Sequence, residues 1–494
     1  MSEDDYKDVF KSPEERKKDE VKATKESKKQ RKENPKEEDD KRSRIKVPFL
    51  VHGKDDEIVI YESINIDKFP CFLSYNTKTK KFANVGEIDS PTEIFLPFGK
   101  DGDIPYQPYT FSVEELQNIR KNGIKQIDFA QMYKSCYKEF DDFLDLEEKY
   151  KHLEVGFLFE TYLQHKINST GYPFNIGEKD SGKTRALELL NFLAYRPLFG
   201  IKLGPANVYE AIGYRSEGSC TILEDEAQEL SDQKDPKNAD KLTIYRGGYK
   251  RGVRVPRIMG AGSIDRHMRY YYTFCCKSFS GYYLLLKDHA FNSRCIPIPF
   301  IAGHPKKDEI IVDIDIPRWN EMKKTLLLWR MINWAEPLPK LEVDINNRVK
   351  EVWKSKIQVA SYYEKAYKII SEMALEAQTR KKKRLQNSLE AHIAKTLIQL
   401  EMANNWGEIE FTTIWNHLLN SLNVTNEDEY KKKKVYVDAL GYDLSKTKIG
   451  TKLSQSFQGE PDFRHGKGRV WKFRKDVLQR LATCYGINKE NYKH

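Results

Sequence analysis

The sequence predicts an α/β protein with a parallel sheet at its centre, a small β-rich domain before the sheet and helical segments after it. Three observations lead to this prediction. Short apolar runs alternate with helical stretches over residues 166–302, which is typical of strands joined by crossover helices. Residues 47–99 contain short apolar runs separated by turn residues. Residues 315–385 keep a helical spacing of apolar side chains.

Composition limits the kind of protein. The 494 residues include 39% hydrophobic residues, enough for several domains with real cores. The net charge of +10 favours an anionic partner such as nucleic acid. No apolar run approaches the roughly 20 residues of a membrane helix, and the acidic start has no signal pattern, so we expect a cytoplasmic protein without a membrane partner. Seven cysteines without C-x-x-C spacing indicate core residues in a reducing compartment.

Changes in composition divide the chain into five segments. Residues 1–45 are almost entirely polar and charged, which predicts a disordered tail. Residues 46–130 form the β-rich domain, and residues 131–302 form the sheet core with a helical lead-in. Residues 303–384 are helical, and residues 385–494 follow a basic run and mix helices with strands.

Residues 177–184, Gly-Glu-Lys-Asp-Ser-Gly-Lys-Thr, match the phosphate-binding loop pattern without a mismatch. Such a loop needs glycines where backbone amides approach phosphates, a lysine for the β- and γ-phosphates, and a hydroxyl for magnesium. A predicted strand over residues 172–176 and a predicted helix over residues 184–194 provide the required context. We therefore predict a site for ATP and Mg²⁺ that includes Gly177, Ser181, Gly182, Lys183 and Thr184.

A second carboxylate is needed near the metal, and an acidic triplet follows the apolar run of residues 220–223. We assign Asp225 to the magnesium and the nucleotide site, and Glu226 to the activation of the attacking water. Glu224 stands where such strands usually have an apolar residue. A frame shifted by one residue, with Glu224 and Asp225 in these roles, therefore remains open.

A basic segment with glycines follows at residues 245–254. Glycines that allow a tight turn, next to an aromatic residue and several cations, suit a hairpin that follows a phosphate backbone. The segment predicts DNA contacts from Tyr249, Lys250 and Arg251. The alternative interpretation is a basic loop that only faces water.

Two later positions are candidates for catalytic roles. Residues 270–276 form a strong strand candidate that ends at Lys277 and Ser278, and a polar side chain there would contact the γ-phosphate or the attacking water. Arg294 begins the run of residues 295–300 and is a candidate arginine finger for a neighbouring subunit. Each of these residues also fits an ordinary surface position.

The order of these motifs resembles ring-forming AAA+ ATPases, and most closely the superfamily-3-like helicase ATPases of primase–helicase proteins from plasmids and viruses. Residues 144–146, 225–227, 248–252 and 348–353 carry the resemblance together with the phosphate loop. It covers roughly residues 140–400. The resemblance implies a P-loop AAA+ core, a helical lid over residues 303–384, a hexameric ring and duplex unwinding. It also makes Arg348 a candidate for contact with the nucleotide.

The last segment resembles a winged helix, because two predicted strands joined by a basic, glycine-rich turn follow a helix–turn–helix pattern. Its basic residues would meet DNA phosphates, which positions a protein on DNA without selecting a sequence. These candidates are Lys446, Lys448, Lys467 and Arg469. A winged helix used only for protein contacts is the alternative.

Together these motifs predict an ATP-driven ring that moves on single-stranded or forked DNA, as a replicative helicase of a mobile element. The first alternative is an ATP-switched initiator or loader that does not unwind DNA processively. The second is a DNA-binding protein with a degenerate nucleotide pocket, and the intact motif at Lys183, Thr184, Asp225 and Glu226 argues against it.

Overall fold

The computed structural model describes residues 42–54, 57–98, 106, 108–124, 127–213, 215–232, 234–260, 266–285, 288–403, 408–422, 424, 435–437, 443–464 and 468–487. The chain divides into two compact units, and the boundary between them in the sequence lies near residue 123. Most of the tail predicted over residues 1–45 lies outside the described residues. Its last three residues belong to a strand that starts at Ser43, because this segment pairs with residues 93–97.

The first unit is rich in β-structure. Its elements are β1 (Ser43–Val47), β2 (Phe49–Lys54), β3 (Glu57–Ile66), β4 (Phe69–Asn76), β5 (Lys81–Val85), β6 (Ile88–Asp89), β7 (Glu93–Pro97), β8 (Thr110–Phe111) and α1 (Val113–Asn122). Strands β2 to β5 form an antiparallel meander. The side chains of Ile60, Ile64 and Phe72 lie in its core. Most of these elements lie within residues 46–130, and the domain boundaries given there remain a prediction.

The second unit is built around a five-stranded parallel sheet. Its strands and the hairpin between them are β9 (Tyr172–Ile176), β10 (Pro197–Ile201), β11 (Thr221–Asp225), β12 (Arg254–Met259), β13 (His267–Tyr272), β14 (Cys276–Gly281) and β15 (Cys295–Pro299). The order in the sheet is β10-β11-β14-β9-β15, and every neighbouring pair is parallel. The predicted parallel α/β core is therefore present. Strands β12 and β13 form a separate two-stranded antiparallel sheet.

Helices surround this sheet. They are α2 (Phe129–Phe143), α3 (Glu148–Tyr162), α4 (Lys183–Leu193), α5 (Pro205–Ile212), α6 (Pro236–Gly247) and α7 (His289–Asn292). Helix α4 packs on β10, β11 and β14, and buries Ala186, Leu187 and Leu190. The boundary predicted at residue 131 falls inside α2, because this helix begins at Phe129, after an Asp128 side chain that caps its first turn.

Three long helices follow the sheet, namely α8 (Val312–Ile332), α9 (Asn347–Ala360) and α10 (Glu364–Gln386). Helix α8 packs on α4, and α9 packs on α3 and α10. The boundary predicted at residue 384 falls two residues before the end of α10, because the basic run continues the helix rather than ending it.

The last part of the chain combines helices with short strands. Its elements are α11 (Leu389–Ala403), β16 (Ile409–Glu410), α12 (Phe411–Ser421), β17 (Val435–Val437), β18 (Asp443–Ser445), α13 (Lys446–Gln455), β19 (Glu460–Arg464), β20 (Gly468–Lys472) and α14 (Lys475–Tyr485). The helices pack around Leu397, Trp415, Leu453 and Trp471. Within the described ranges, every helix is too short or too polar to cross a bilayer.

Helix α3 is buried on all sides from His152 onward, and it carries two buried glutamates with different surroundings. Glu160 is satisfied, because Lys356 Nζ lies 2.7 Å from one of its oxygens and Thr170 Oγ1 donates to the other at 2.8 Å. Among the described residues, neither oxygen of Glu154 has a partner within hydrogen-bond geometry. Burial raises the pKa of Glu154 to about 7, against opposing effects of Asn175 and Lys356.

We expect Glu154 to make the stability of the second unit pH-dependent. Between the ordinary pKa of 4.5 and about 7, the folded chain holds a proton that the unfolded chain releases. Stability therefore falls as the pH rises through this window, by about 3 kcal/mol in total. In Glu154→Gln, the thermal midpoint measured from pH 5 to pH 8.5 should fall less than in the wild type. The exposed Glu372 on α10 provides the control, and a Glu372→Gln profile as flat as that of Glu154→Gln would contradict the assignment.

Candidate nucleotide site

The predicted phosphate loop joins the end of β9 to the start of α4. Gly182 has φ +89° and Asp180 has φ +62°, so the loop passes twice through the left-handed region before the helix begins. A side chain at Gly177 would come within 2.4 Å of Ser181 Oγ and 2.6 Å of the Phe300 carbonyl oxygen. Only glycine fits at residue 177, which explains this position of the motif. The turn leads into the amino end of α4, where free amides favour an anion.

Lys183 is the first residue of α4 and is almost completely buried. Its Nζ donates to the Glu178 carbonyl oxygen at 2.9 Å and lies 4.8 Å from the centre of the Tyr282 ring. The ammonium group is thus folded back over the loop, within reach of anionic oxygens that the loop would hold. Tyr282 follows β14 and was not among the predicted site residues.

Asp225 is the point where the carboxyl ends of the strands and the phosphate loop converge. Thr184 Oγ1 donates to Asp225 Oδ2 at 2.8 Å, and Ser280 Oγ donates to Asp225 Oδ1. The Glu226 amide also donates to Oδ1, at 2.8 Å. A carboxylate beside a hydroxyl forms the oxygen donor set that Mg²⁺ prefers. Thr184 and Asp225 therefore fit the magnesium ion for which the sequence predicts them.

Glu224 lies on the opposite face of the sheet from Asp225, as alternation along a strand requires. It is buried, and its two oxygens accept from Lys241 Nζ and from Tyr245 Oη, the latter at 2.6 Å. Burial raises the pKa of Glu224, while Lys241 and Tyr245 act against this effect. The alternative frame, with Glu224 on the metal, does not agree with this geometry.

Glu226 follows β11 with φ +54°, a left-handed conformation that costs a non-glycine residue about 1 kcal/mol or more. It starts the short 3-10 helix Ala227–Ser231 and is only half-buried. Strained backbone of this kind is concentrated at functional sites. Glu226 stays the predicted base, because its position next to Asp225 is compatible with that role.

The structure does not place Lys277 and Ser278 at the phosphate loop. The prediction took residues 270–276 as the sheet strand, whereas β13 ends at Tyr272 and the sheet strand β14 begins at Cys276. Lys277 is completely buried, and its Nζ donates to the carbonyl oxygens of Gly248, Thr273 and Cys275 at 3.0–3.1 Å. Ser278 is also completely buried. Near the end of β14 it is Ser280, two residues after Ser278, that contacts the candidate site, through its hydrogen bond to Asp225.

The predicted hairpin around Tyr249 is also wrong. Helix α6 ends at Gly247, and a turn then leads into β12. Tyr249 is 9% exposed. Arg251 donates to Glu217 at 2.8 Å and to the carbonyl oxygens of Ile167 and Gln164 at 2.7 Å, while Lys250 is 3.6 Å from Glu351. The three residues tie the turn to the protein, and the structure does not present Tyr249 or Arg251 on a hairpin.

The hairpin instead consists of β12 and β13. Cross-strand pairing puts six side chains on its outer face, which are Arg254, Pro256, Ile258, Met268, Tyr270 and Tyr272. Ile258, Met268 and Tyr270 are each more than half exposed, and the Arg254 guanidinium lies 4.3 Å from the centre of the Tyr272 ring. Residues 254–259, Arg-Val-Pro-Arg-Ile-Met, combine basic and apolar residues, and this composition was the available signal. The prediction instead placed the hairpin at residues 245–254, because glycines there allow a tight turn.

Arg294 and Arg348 lie together, at the other end of the sheet from the phosphate loop. Their guanidinium carbons are 4.6 Å and 4.7 Å from the centre of the Tyr249 ring. Arg294 precedes β15, whose first residue pairs with the first residue of β9, whereas the loop follows the last residue of β9. Burial, followed by the charge of Arg348, lowers the pKa of Arg294. The structure therefore does not support the prediction that Arg348 contacts the nucleotide of its own chain.

Three of the four basic residues predicted for the C-terminal segment are described. Lys446 and Lys448 are exposed on the first turn of α13, and Arg469 is exposed on β20. Lys446 Nζ lies 6.0 Å from the centre of the Trp415 ring. Lys467 lies outside the described residues.

No protein-family model matches the chain, and no curated protein matches it either. Among solved structures, the chain is similar to two apo A-form structures of the NrS-1 C-terminal region, each 11% identical to it. Both alignments cover 84% of this chain, and they cover 96% and 97% of the NrS-1 chains. The TM-scores are 0.33 and 0.35. A structure of JCV helicase is 14% identical over 49% of this chain and 68% of its own, with a TM-score of 0.21.

We expect Lys241→Met to destabilise the second unit. It would leave Glu224 buried beside Tyr245 without its cation, and removing one partner of a buried pair costs about 3–5 kcal/mol. Thermal or urea unfolding should show this loss, and Lys237→Met, at an exposed position of the same helix, should show almost none. Adding Glu224→Leu to Lys241→Met should recover part of the stability. A Lys241→Met protein as stable as the wild type would contradict a role for this pair in the core.

Proposed function

We propose that the chain is an ATPase that forms a ring and moves along DNA, as a DNA helicase of a mobile genetic element. The observation that carries the proposal is the hydrogen bond from Thr184 Oγ1 to Asp225 Oδ2 directly beneath a glycine loop. In this arrangement, the loop, the first turn of α4 and the end of β11 converge on one point. A hydroxyl and a carboxylate there suit a metal–phosphate complex better than any other common ligand.

In this proposal, the loop amides and Lys183 hold the β- and γ-phosphates of ATP. Thr184 and Asp225 hold Mg²⁺, which neutralises charge on the phosphate oxygens when it is bound. The Glu226 carboxylate takes a proton from the attacking water as the water oxygen bonds to the γ-phosphorus and ADP leaves. Ser280 positions Asp225 through its hydrogen bond, so that one Asp225 oxygen remains directed towards Thr184.

The far side of the γ-phosphate also needs a positive group, and the proposal takes this group from a neighbouring chain. Arg294 precedes β15 and the loop follows β9, so about six residues of strand, or roughly 20 Å, separate Arg294 from its own loop, and Arg348 lies beside Arg294. In a ring, the same two arginines would face the ATP of a neighbouring chain. An arginine supplied in this way stabilises the charge of the transition state. The proposal therefore assigns both arginines to the neighbour's site, with Tyr249 as their support.

DNA contacts in this proposal come from the β12–β13 hairpin rather than from residues 249–251. Its outer face combines exposed Tyr270 and half-buried Tyr272 with Arg254, and single strands are bound by stacking on aromatic rings together with cations. The hairpin leads directly into β14, which carries Ser280. Movement at the nucleotide would thus be transmitted to the hairpin through one strand.

The remaining parts take supporting roles in the proposal. Helices α8 to α10 act as the lid of the ATPase. The C-terminal region acts as a winged helix, with α13 as its recognition helix and β19–β20 as its wing. Lys446, Lys448 and Arg469 would then contact phosphates, and they are exposed as this role requires.

We expect the wild-type chain to hydrolyse ATP, and we expect single-stranded DNA to increase the rate. Lys183→Ala removes the cation of the loop, and Glu226→Gln removes the base, so each should lower steady-state turnover by at least about 100-fold. The exposed substitutions Lys237→Ala and Glu372→Gln are the matched controls. Hydrolysis that survives Lys183→Ala would contradict the site. Hydrolysis that DNA stimulates without displacement of a strand from a forked duplex would favour an initiator or loader over a helicase.

We expect Arg294→Ala to lower turnover by about 1,000-fold or more, since it removes the positive group supplied by a neighbour. Mixing experiments separate this from an effect within one chain. A ring that contains both Arg294→Ala and Glu226→Gln subunits has some interfaces with an intact base from one chain and an intact Arg294 from the next. Equimolar mixtures should therefore recover measurable hydrolysis that neither variant shows alone. No recovery over a range of mixing ratios, with ring assembly intact, would place Arg294 outside the neighbour's site.

A further inference from the structure

Helix α13 and the β19–β20 hairpin enclose a groove of about 460 Å³, which we call the α13 groove. One wall is a polar face of the helix, with Thr447, Thr451 and Ser454. The other wall is formed by Arg469 and Trp471 of β20. The volume is within the usual range for small-molecule sites and matches a single nucleotide better than the stacked surface of a duplex.

The chemistry of the α13 groove suits an aromatic, anionic ligand. Lys446 is exposed at its helical wall. The Arg469 guanidinium carbon lies 5.8 Å from the centre of the Trp471 ring. Trp471 is 1% exposed, and its buried indole N–H has no hydrogen-bond partner among the described residues. The hydroxyl groups of the helical wall supply further hydrogen bonds for the polar edge of a base.

Gly450 keeps the α13 groove open. Within the described part of the chain, a Cβ atom at this position would have one neighbour within 4 Å, the Nη1 of Arg469 at 3.8 Å, which is an ordinary contact. The glycine is therefore not required by the backbone or by packing within the domain. It lies in the middle of α13, where glycine weakens a helix by roughly 1 kcal/mol relative to alanine. The glycine therefore leaves space in the α13 groove that a side chain at residue 450 would occupy.

We propose that the α13 groove binds one unpaired nucleotide of a DNA strand. The base enters between α13 and β20, and the flanking phosphates meet Lys446 and Arg469. This assignment rests on the proposed function, in which the chain acts on single-stranded or forked DNA. It differs from a phosphate-only contact of a winged helix, because the groove takes the base itself and so distinguishes unpaired from paired DNA.

Gly450→Leu tests the groove, because it fills the space without changing a charge. The affinity of the full-length chain for a fluorescent oligothymidylate, measured without ATP, should fall about tenfold, the order expected when one stacked base is lost. Arg469→Gln should weaken the same complex, and Lys472→Gln, on the other face of β20, should not. Photo-crosslinking of an oligonucleotide that contains 5-iododeoxyuridine should label the peptide with Trp471. Thermal midpoints establish that each variant is folded.

Two results would contradict the proposal that the α13 groove binds an unpaired nucleotide. The first is an unchanged affinity of folded Gly450→Leu and Arg469→Gln, without a crosslink near Trp471. The second is an equal loss of affinity for blunt duplex and single strand, since the groove accepts only an unpaired base. The wild type tests the proposed function separately. Suppose that the wild type binds DNA, that DNA stimulates its ATPase, and that the variants bind DNA with the same affinity. The proposal about the groove is then wrong, and the proposed function is not affected. If DNA neither binds nor stimulates, the proposed function fails as well.

Discussion

The alternation of side chains along β11 governs the arrangement of the candidate site. Two successive carboxylates leave this strand on opposite faces of the sheet. Asp225 meets Thr184 and Ser280 on the side of the phosphate loop, whereas Glu224 enters the core on the other side. A buried carboxylate needs a cation and hydrogen bonds, and Lys241 and Tyr245 of α6 provide them. Helix α6 is thereby held against the strand that carries the candidate metal ligand, so the acidic triplet serves both stability and the site.

The polarity of the parallel sheet determines which residues can act together. The phosphate loop follows the carboxyl end of β9, and Asp225 and Ser280 lie at the carboxyl ends of β11 and β14. Arg294 lies before the amino end of β15, and Arg348 lies beside it over Tyr249. Because neighbouring strands run in the same direction, the loop with Asp225 and Ser280 lies at the carboxyl ends of the strands, and the two arginines lie at the amino ends. This separation is why the proposed function needs a second copy of the chain, and why the mixing experiment can test it.

The sequence predicted the features that depend on short-range patterns. The strand before the loop was expected over residues 172–176 and is β9 (Tyr172–Ile176), and the helix after it begins one residue earlier than expected, at Lys183. Glycine spacing and apolar periodicity are local properties, so they can be recognised in the sequence without knowledge of the tertiary contacts. The predictions for Lys277, Ser278 and the turn around Tyr249 failed for the opposite reason. Residues 270–281 form one long β-prone run, and only pairing with β12 or with β11 decides which part belongs to which sheet.

The sequence by itself determined the α/β architecture, the phosphate loop and the acidic triplet, because each is written in contiguous residues with a defined period or spacing. Tertiary structure decided which carboxylate faces Thr184, that Ser280 rather than Lys277 or Ser278 lies beside Asp225, and that Arg348 accompanies Arg294. It also opened the α13 groove above Gly450. These contacts join residues from separate strands and helices. Their partners are set by the register and polarity of the sheet and by packing, which no local pattern records.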